Sequence, residues 1–206
     1  MLYLSPSLLN DFYYYQVAGD EYVDIKRREL LDKLNGIRIT TASMQRGIDF
    51  ENLLRNYVDW KVPLDEKDAI SPIVEEMAGY VRGGIWQEHV KTQILPNVIV
   101  HGYVDVINGN TVFDIKTTSR YDFPKFLHSC QHLVYLAALN SSEILKFSYL
   151  ITDFSSVFVE TYHWQDSMLD ELRGHVNNFL NYLKIDLEMS QAFFRKQQRS
   201  AREYAA

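Results

Sequence analysis

Asp105 and Asp114 lie on either side of an Asn108-Gly109 turn signal, and Lys116 follows two residues after the second aspartate. The stretch Val98–Ile107 alternates as a half-buried strand does. Val98, Val100, Gly102, Val104 and Val106 make one apolar face, and His101, Tyr103 and Asp105 the other. In Thr111–Thr117, Phe113 and Ile115 are apolar while Asp114 and Lys116 share the opposite face. Two hairpin registers keep these faces together. With Asn108-Gly109 as the loop, Asp114 is the diagonal neighbour of Asp105; with Gly109-Asn110, the two stand directly opposite. A three-residue loop mixes the faces unless a bulge corrects it. Either register brings two carboxylates together, and they repel unless a cation or proton intervenes. Such hard oxygen ligands suit Mg²⁺ or Mn²⁺. Lys116, projecting into the same space, can orient an attacking water or steady the charge on a scissile phosphate. An Asp-Ile-Lys triplet by itself is common, and a hairpin with an ordinary solvated charged face is its plainer reading.

Further polar residues sit on apolar helical stripes. Gly47, Phe50, Leu54 and Val58 form one stripe, and Glu51 lies within it, four residues after Gly47. A carboxylate on a buried face needs a partner. A metal and an arginine, Arg46 or Arg55, both qualify. Leu127, Val134 and Ala138 share a second stripe with Gln131 and Tyr135, which are stacked at i and i+4. The amide and the hydroxyl suit phosphate or water positioning, although a core tyrosine with a hydrogen-bonded tip accounts for Tyr135 equally simply.

The elements that must position these groups are legible. Ser5-Pro6 caps a helix running to about Gln16, and a second helix covers Val23–Leu34. Thr40 or Thr41 caps a third helix to about Trp60, and a fourth follows Ser71-Pro72 to about Gly83-Gly84. His89–Leu95, Asn97–Ile107 and Thr111–Thr117 read as strands, and Phe123–Leu139 as a helix. Ile144–Asp153 and Val157–Trp164 form another strand pair. Helix then runs from Gln165 nearly to the end, with a break near Asp186. This order predicts one α/β domain over residues 1–206 with a mainly antiparallel sheet wrapped by helices. Its helical N-terminal part spans about 5–84, the hairpin and helix about 86–139, and the last strands and helices about 144–200.

Composition narrows the function classes. At 47% hydrophobic and 23% charged, the chain is that of an ordinary globular protein, without a membrane-length apolar run or a signal peptide. A single cysteine, Cys130, excludes an internal disulfide or a cysteine-ligated cluster within one chain and suits a reducing cytoplasm. Cys130 reads as a buried filler rather than a nucleophile. The net charge of −6 argues against a protein that coats nucleic acid non-specifically. Arg195, Lys196, Arg199 and Arg202 form the one basic cluster, read as a solvated helix end. The histidines lack metal-ligand spacing: His128 and His132 belong on a helix flank, and His101 in an ordinary strand position. Tyr13, Tyr14 and Tyr15 are assigned to packing. No phosphate-cradling glycine loop is present.

Taken in order, Gly47-x-x-x-Glu51, Gly102-Tyr103-Val104-Asp105, Asp114-Ile115-Lys116-Thr117 and Gln131-x-x-x-Tyr135 resemble the motifs of the PD-(D/E)xK nuclease superfamily. The similarity is greatest to RecB-type exonucleases and their phage and CRISPR-associated relatives, and Leu4-Ser5-Pro6-Ser7-Leu8-Leu9 is similar to the start of their first helix. It spans about residues 4–139. The resemblance implies a restriction-endonuclease-like mixed central sheet with an antiparallel hairpin core. It implies Asp105, Asp114 and the Ile115 carbonyl as Mg²⁺ or Mn²⁺ ligands, with Glu51 a further ligand where many members have histidine. Lys116 would assist the attacking water, and Gln131 and Tyr135 would hold the lysine or a DNA phosphate. The iron–sulfur cluster of some relatives is not expected here. The function so implied is a DNA exonuclease of recombination, repair or phage replication, with DNA as partner and a helicase or annealing protein as the kind of protein it would meet. The rival reading is a non-catalytic interaction module of the same fold.

Overall fold

The computed structural model describes residues 1–37, 39–140 and 143–203, with those from 200 onward as backbone alone. The elements run β1 (Leu2–Leu4), α1 (Pro6–Gln16), α2 (Val23–Asn35), α3 (Ala42–Asp59) and α4 (Ser71–Val81). Then come β2 (Ile85–Leu95), β3 (Val98–Asn108), β4 (Thr111–Thr117), α5 (Cys130–Leu139), β5 (Lys146–Thr152), β6 (Val157–His163), α6 (Ser167–Ile185) and α7 (Leu187–Glu203). Local chemistry explains the ends. Ser5 Oγ accepts from Leu8 N at 3.3 Å with Pro6 in the first turn, and Thr41 Oγ1 accepts from Met44 N at 3.1 Å. Each such cap contributes about 1 kcal/mol. Asp186 breaks the last helical run: its carboxylate accepts from Met189 N and so starts α7.

Two expectations need correction. The helix expected from Phe123 begins only at Cys130, capped by Ser129. The preceding loop is held instead by Glu160 of β6, a buried carboxylate that accepts from Lys125 N, Phe126 N, Tyr121 Oη and Tyr162 Oη. Three of these donors, all but Tyr162, belong to the loop and hold it outside a helix, so its helical spacing is overridden. His132, expected on a flank, is buried. Its ring stacks on Tyr162 with centroids 4.0 Å apart and shares a hydrogen bond with Tyr149 Oη, and burial pushes its pKa down to about 4.

The sheet is mixed, with three antiparallel and two parallel pairings. Its strand order is β1-β3-β4-β5-β6, with β2 on β3; β1/β3 and β4/β5 pair in parallel. Because β2 occupies one edge of β3 along its whole length, β1 and β4 must share the other edge. They meet Val98–Val100 and Val106–Asn108 respectively. The strand β1 escaped the sequence because three residues carry no measurable periodicity.

The even-numbered face of β3 is not one continuous apolar surface. Val98, Val100 and Val104 join a core with α1, α5 and α6, as does Val90 of β2. Val106 and Trp86 join a second core, with Phe50 and Leu54 of α3 and Met77 of α4. Both strands therefore change partners at the Gln87–Asp105 level, where Gln87 has a φ of +55°. On the first core, α5 sits close because position 102 lacks a side chain. A Cβ there would stand 2.8 Å from Tyr135 Cε1 and 2.9 Å from its hydroxyl oxygen. Tyr135 is buried and hydrogen-bonded, so it cannot yield cheaply. Gly102→Ala is expected to lower unfolding free energy by about 1–3 kcal/mol. Gly174→Ala, in an open stretch of α6 with nothing within 4 Å, is expected to raise it by about 0.5–1 kcal/mol. Urea titration of the two variants checks the opposite signs.

Candidate active site

The hairpin adopts the register in which Gly109 and Asn110 form the loop: Asn108 pairs with Thr111, Ile107 with Val112 and Val106 with Phe113. Gly109 takes a left-handed φ of +58° at the turn. The ladder stops at Val106/Phe113, and the strands separate at the level of Asp105 and Asp114. Backbone groups freed by this splay still need partners. Asp105 Oδ2 accepts from Ile115 N at 2.8 Å, and Tyr135 Oη donates to the Tyr103 carbonyl at 2.9 Å.

Asp114 is buried in the cleft so formed. Its Oδ1 accepts from Gln131 Nε2 at 2.8 Å, and its Oδ2 lies 2.5 Å from Lys116 Nζ. That contact is an ion pair, and Oδ2 has no other partner among the described residues. Gln131 thus meets Asp114 rather than Lys116, and the Tyr135 hydroxyl is committed to the backbone of β3. The contact Ile115 makes to this group is through its N–H.

Glu51 approaches from α3. Gly47, one turn earlier, lets the helix close on β4: a Cβ there would be 2.9 Å from Thr117 Oγ1. Neither arginine pairs with Glu51. Arg46 lies over the Phe154 ring at 3.5 Å, and Arg55 faces Asp59 at 3.5 Å. The partner of Glu51 is Gln87, which sequence reasoning missed. Gln87 Nε2 donates to Glu51 Oε1 at 3.1 Å and reaches Asp105 Oδ1 at 3.5 Å, tying the two carboxylates together. The one available signal was registry, since Gln87 falls opposite Asp105 once β2 and β3 are paired. A groove of about 480 Å³ opens here, lined by Met44, Gly47, Glu51, Ile115, Lys116 and Thr117 among others.

The electrostatics follow from crowding. Burial, then Asp114 and Glu51, push the Asp105 carboxyl up to about 8, against the opposing pull of Lys116 and the Ile115 N–H. Glu51 is raised by burial and by Asp114. Burial alone would lower the Lys116 pKa, but Asp114, Asp105 and Glu51 outweigh it and the net shift is upward. The lysine is therefore a held cation and not a base. Among the described residues no three Asp, Glu, His or Cys side chains converge closely enough to enclose an ion. A metal would be held chiefly by Asp105 and Asp114. Their hard oxygens and the like charge crowded on Asp105 fit a small divalent cation.

Several other residues are engaged elsewhere. Arg120 pairs with Asp122, and Lys125 Nζ donates to Thr118 Oγ1 at 2.5 Å within the loop that Glu160 holds. Arg195 and Arg199 donate to Asn35, and Lys196 to the Lys33 carbonyl. The basic cluster thus caps the C-terminal end of α2, where cations are favoured. The Arg202 side chain lies outside the described residues. Cys130 is buried, and burial pushes its thiol up to about 12. Tyr13 packs on His128 and His175, and Tyr15 on Phe12 and Tyr182. No helix among the described residues is long and apolar enough to cross a membrane.

No protein-family model matches the chain, and no curated protein does. Solved structures do. An alkaline exonuclease from Laribacter hongkongensis superposes with a TM-score of 0.51 at 14% identity, covering 97% of this chain and 93% of its own. A candidate exonuclease from Eubacterium rectale superposes with a TM-score of 0.54 at 17% identity, covering 93% of this chain and 82% of its own. The fold is restriction-endonuclease-like. A mixed six-stranded sheet is flanked on both sides by helices, as the sequence motifs implied.

The raised Asp105 carboxyl has a consequence for stability. A group whose folded pKa lies above its unfolded value stabilises fully below about pH 4, and this contribution is lost as pH rises through about 8. Asp105→Asn keeps an acceptor for Ile115 N but removes the charge. In EDTA its melting temperature is expected to exceed that of the wild type by a margin that widens between about pH 5 and pH 8. Parallel melting profiles by scanning calorimetry would show that Asp105 carries no such strain.

Proposed function

We propose that this chain is a divalent-metal-dependent deoxyribonuclease of the PD-(D/E)xK type, most similar in its motifs to RecB-type exonucleases. The observation that carries the reading is the nearness of Asp105 and Asp114 at the splay, with Lys116 on Asp114 and Glu51 tied to Asp105 through Gln87. Both solved structures of like fold come from proteins described as exonucleases, which supports the same reaction class.

In this reading Asp105 and Asp114 would hold Mg²⁺ or Mn²⁺, and Glu51 and the Ile115 carbonyl would be further oxygen donors. The bound cation supplies Lewis-acid polarisation of the phosphate and eases deprotonation of the attacking water. Lys116, protonated and pinned to Asp114, lies where its ammonium can pair with a phosphate oxygen as charge builds in the transition state. Gln131 fixes the Asp114 rotamer. Tyr135 fixes the backbone two residues before Asp105, so both are positioning residues. The biological setting is recombination, repair or phage replication. DNA is the partner, and a helicase or annealing protein is its expected companion.

Asp114→Asn is expected to abolish cleavage and weaken metal binding, because it removes a negative ligand without changing shape. Lys116→Ala is expected to cost about 10²–10³ in rate with metal affinity near that of the wild type. Calorimetric Mn²⁺ titration beside a cleavage assay separates the two. DNA bound but never cut, at any divalent metal, would identify an interaction module instead.

The mode of attack follows from charge. A net charge of −6, with the basic cluster turned onto α2, leaves little cationic surface for gripping duplex DNA at random. Linear DNA is expected to be degraded while covalently closed circles survive, and activity to fall as salt rises. Equal attack on both plasmid forms would establish an endonuclease.

A further inference from the structure

The outward face of β2 and β3 carries a row of rings that the catalytic reading does not use. His89 is paired in register with Tyr103 and Lys91 with His101, one step along both strands from Gln87 and Asp105. Tyr3 of β1 closes the row, opposite Ile99. The rings are in contact: centroids lie 4.8 Å apart for His89 and Tyr103, 5.6 Å for His89 and His101, and 5.9 Å for Tyr3 and His101. This face points away from the core that holds Val90, Val100 and Val104. Tyr103 is 56% exposed, so its ring is open to a ligand.

Beyond Asp105 at its cleft end, the groups around this row are cationic. The charged groups acting on His101 are His89, Lys196 and Lys91, all of them cationic when ionised. Glu88, next to His89, alternates to the other face. Aromatic rings interleaved with cations are the surface that a nucleic-acid strand recognises, with bases on the rings and phosphates on the lysines. Rings two residues apart along a strand are spaced about 7 Å. Duplex DNA keeps its bases inside the stack and cannot offer them to such rings, whereas an unpaired strand can.

We infer that the Tyr3–His101–His89–Tyr103 row with Lys91 is a binding track for single-stranded DNA, leading directly into the Asp105/Asp114 cleft. The inference rests on the nuclease reading of that cleft and extends it: the enzyme holds an unpaired strand beside the bond it cuts. Tyr103 is the hinge between the two parts. Its side chain belongs to the track, and its carbonyl is held by Tyr135 at the cleft.

The test uses fluorescein-labelled oligothymidylates, a trimer and a twelve-mer, titrated with the full chain in EDTA so that no cutting occurs. The twelve-mer is expected to bind more tightly than the trimer. Tyr103→Ala and His89→Ala are each expected to weaken twelve-mer binding about tenfold, and Tyr103→Phe to stay within about twofold of the wild type. Lys91→Ala is expected to reduce the salt dependence of binding. Melting curves establish that each variant is folded. Unchanged twelve-mer affinity in folded Tyr103→Ala overturns the proposal, as does failure of the wild type to bind the twelve-mer. An equal loss for blunt duplex overturns it too. Because binding is read without metal, a protein that binds the strand but never cuts it refutes the nuclease reading while leaving the track standing.

Discussion

The parting of β3 from β4 after Val106 and Phe113 is the constraint on which the site depends. A ladder that continued would hydrogen-bond Asp105 and Asp114 into regular strand positions and leave no cleft. The splay instead frees an N–H at Ile115 and involves a carbonyl at Tyr103, and each finds a side chain: the Asp105 carboxylate and the Tyr135 hydroxyl. Asp105 therefore has a structural duty, since its carboxylate ends the ladder that brings it to Asp114.

Bringing three carboxylates into one partly buried space is unfavourable by itself, and the surrounding residues offset that in different ways. Lys116 supplies the compensating charge, Gln131 satisfies one Asp114 oxygen, and Gln87 bridges Glu51 and Asp105. What remains is visible as the upward shift of Asp105 and Glu51. In the proposed reading, a bound divalent cation would relieve the repulsion that the amides and the lysine leave.

Helices deliver the remaining groups through close approaches at glycine. Gly47 lets α3 bring Glu51 against the end of β4, and Gly102 lets α5 lay Tyr135 on β3 while Gln131, one turn earlier, reaches Asp114. The loop between β4 and α5 is held to β6 by Glu160, so the start of α5 is anchored independently of the site it serves.

Much of this was legible in the residues alone. Strand alternation set the two faces of the hairpin, and capping signals set the ends of α1 and α3, because these depend on neighbours along the chain. The convergence of Asp105, Asp114 and Lys116 followed from the pleat, although the choice between two turn registers did not. Tertiary structure alone decided that choice, the extra strand β1, the loop in place of a longer α5 and the burial of His132. It also placed Gln87 between two carboxylates. Each of these is settled by a partner far away in sequence: β3 for Leu2–Leu4, Glu160 for the loop, Tyr149 and Tyr162 for His132. Periodicity reports which face of an element is apolar, but only packing supplies the atoms that answer a buried polar group.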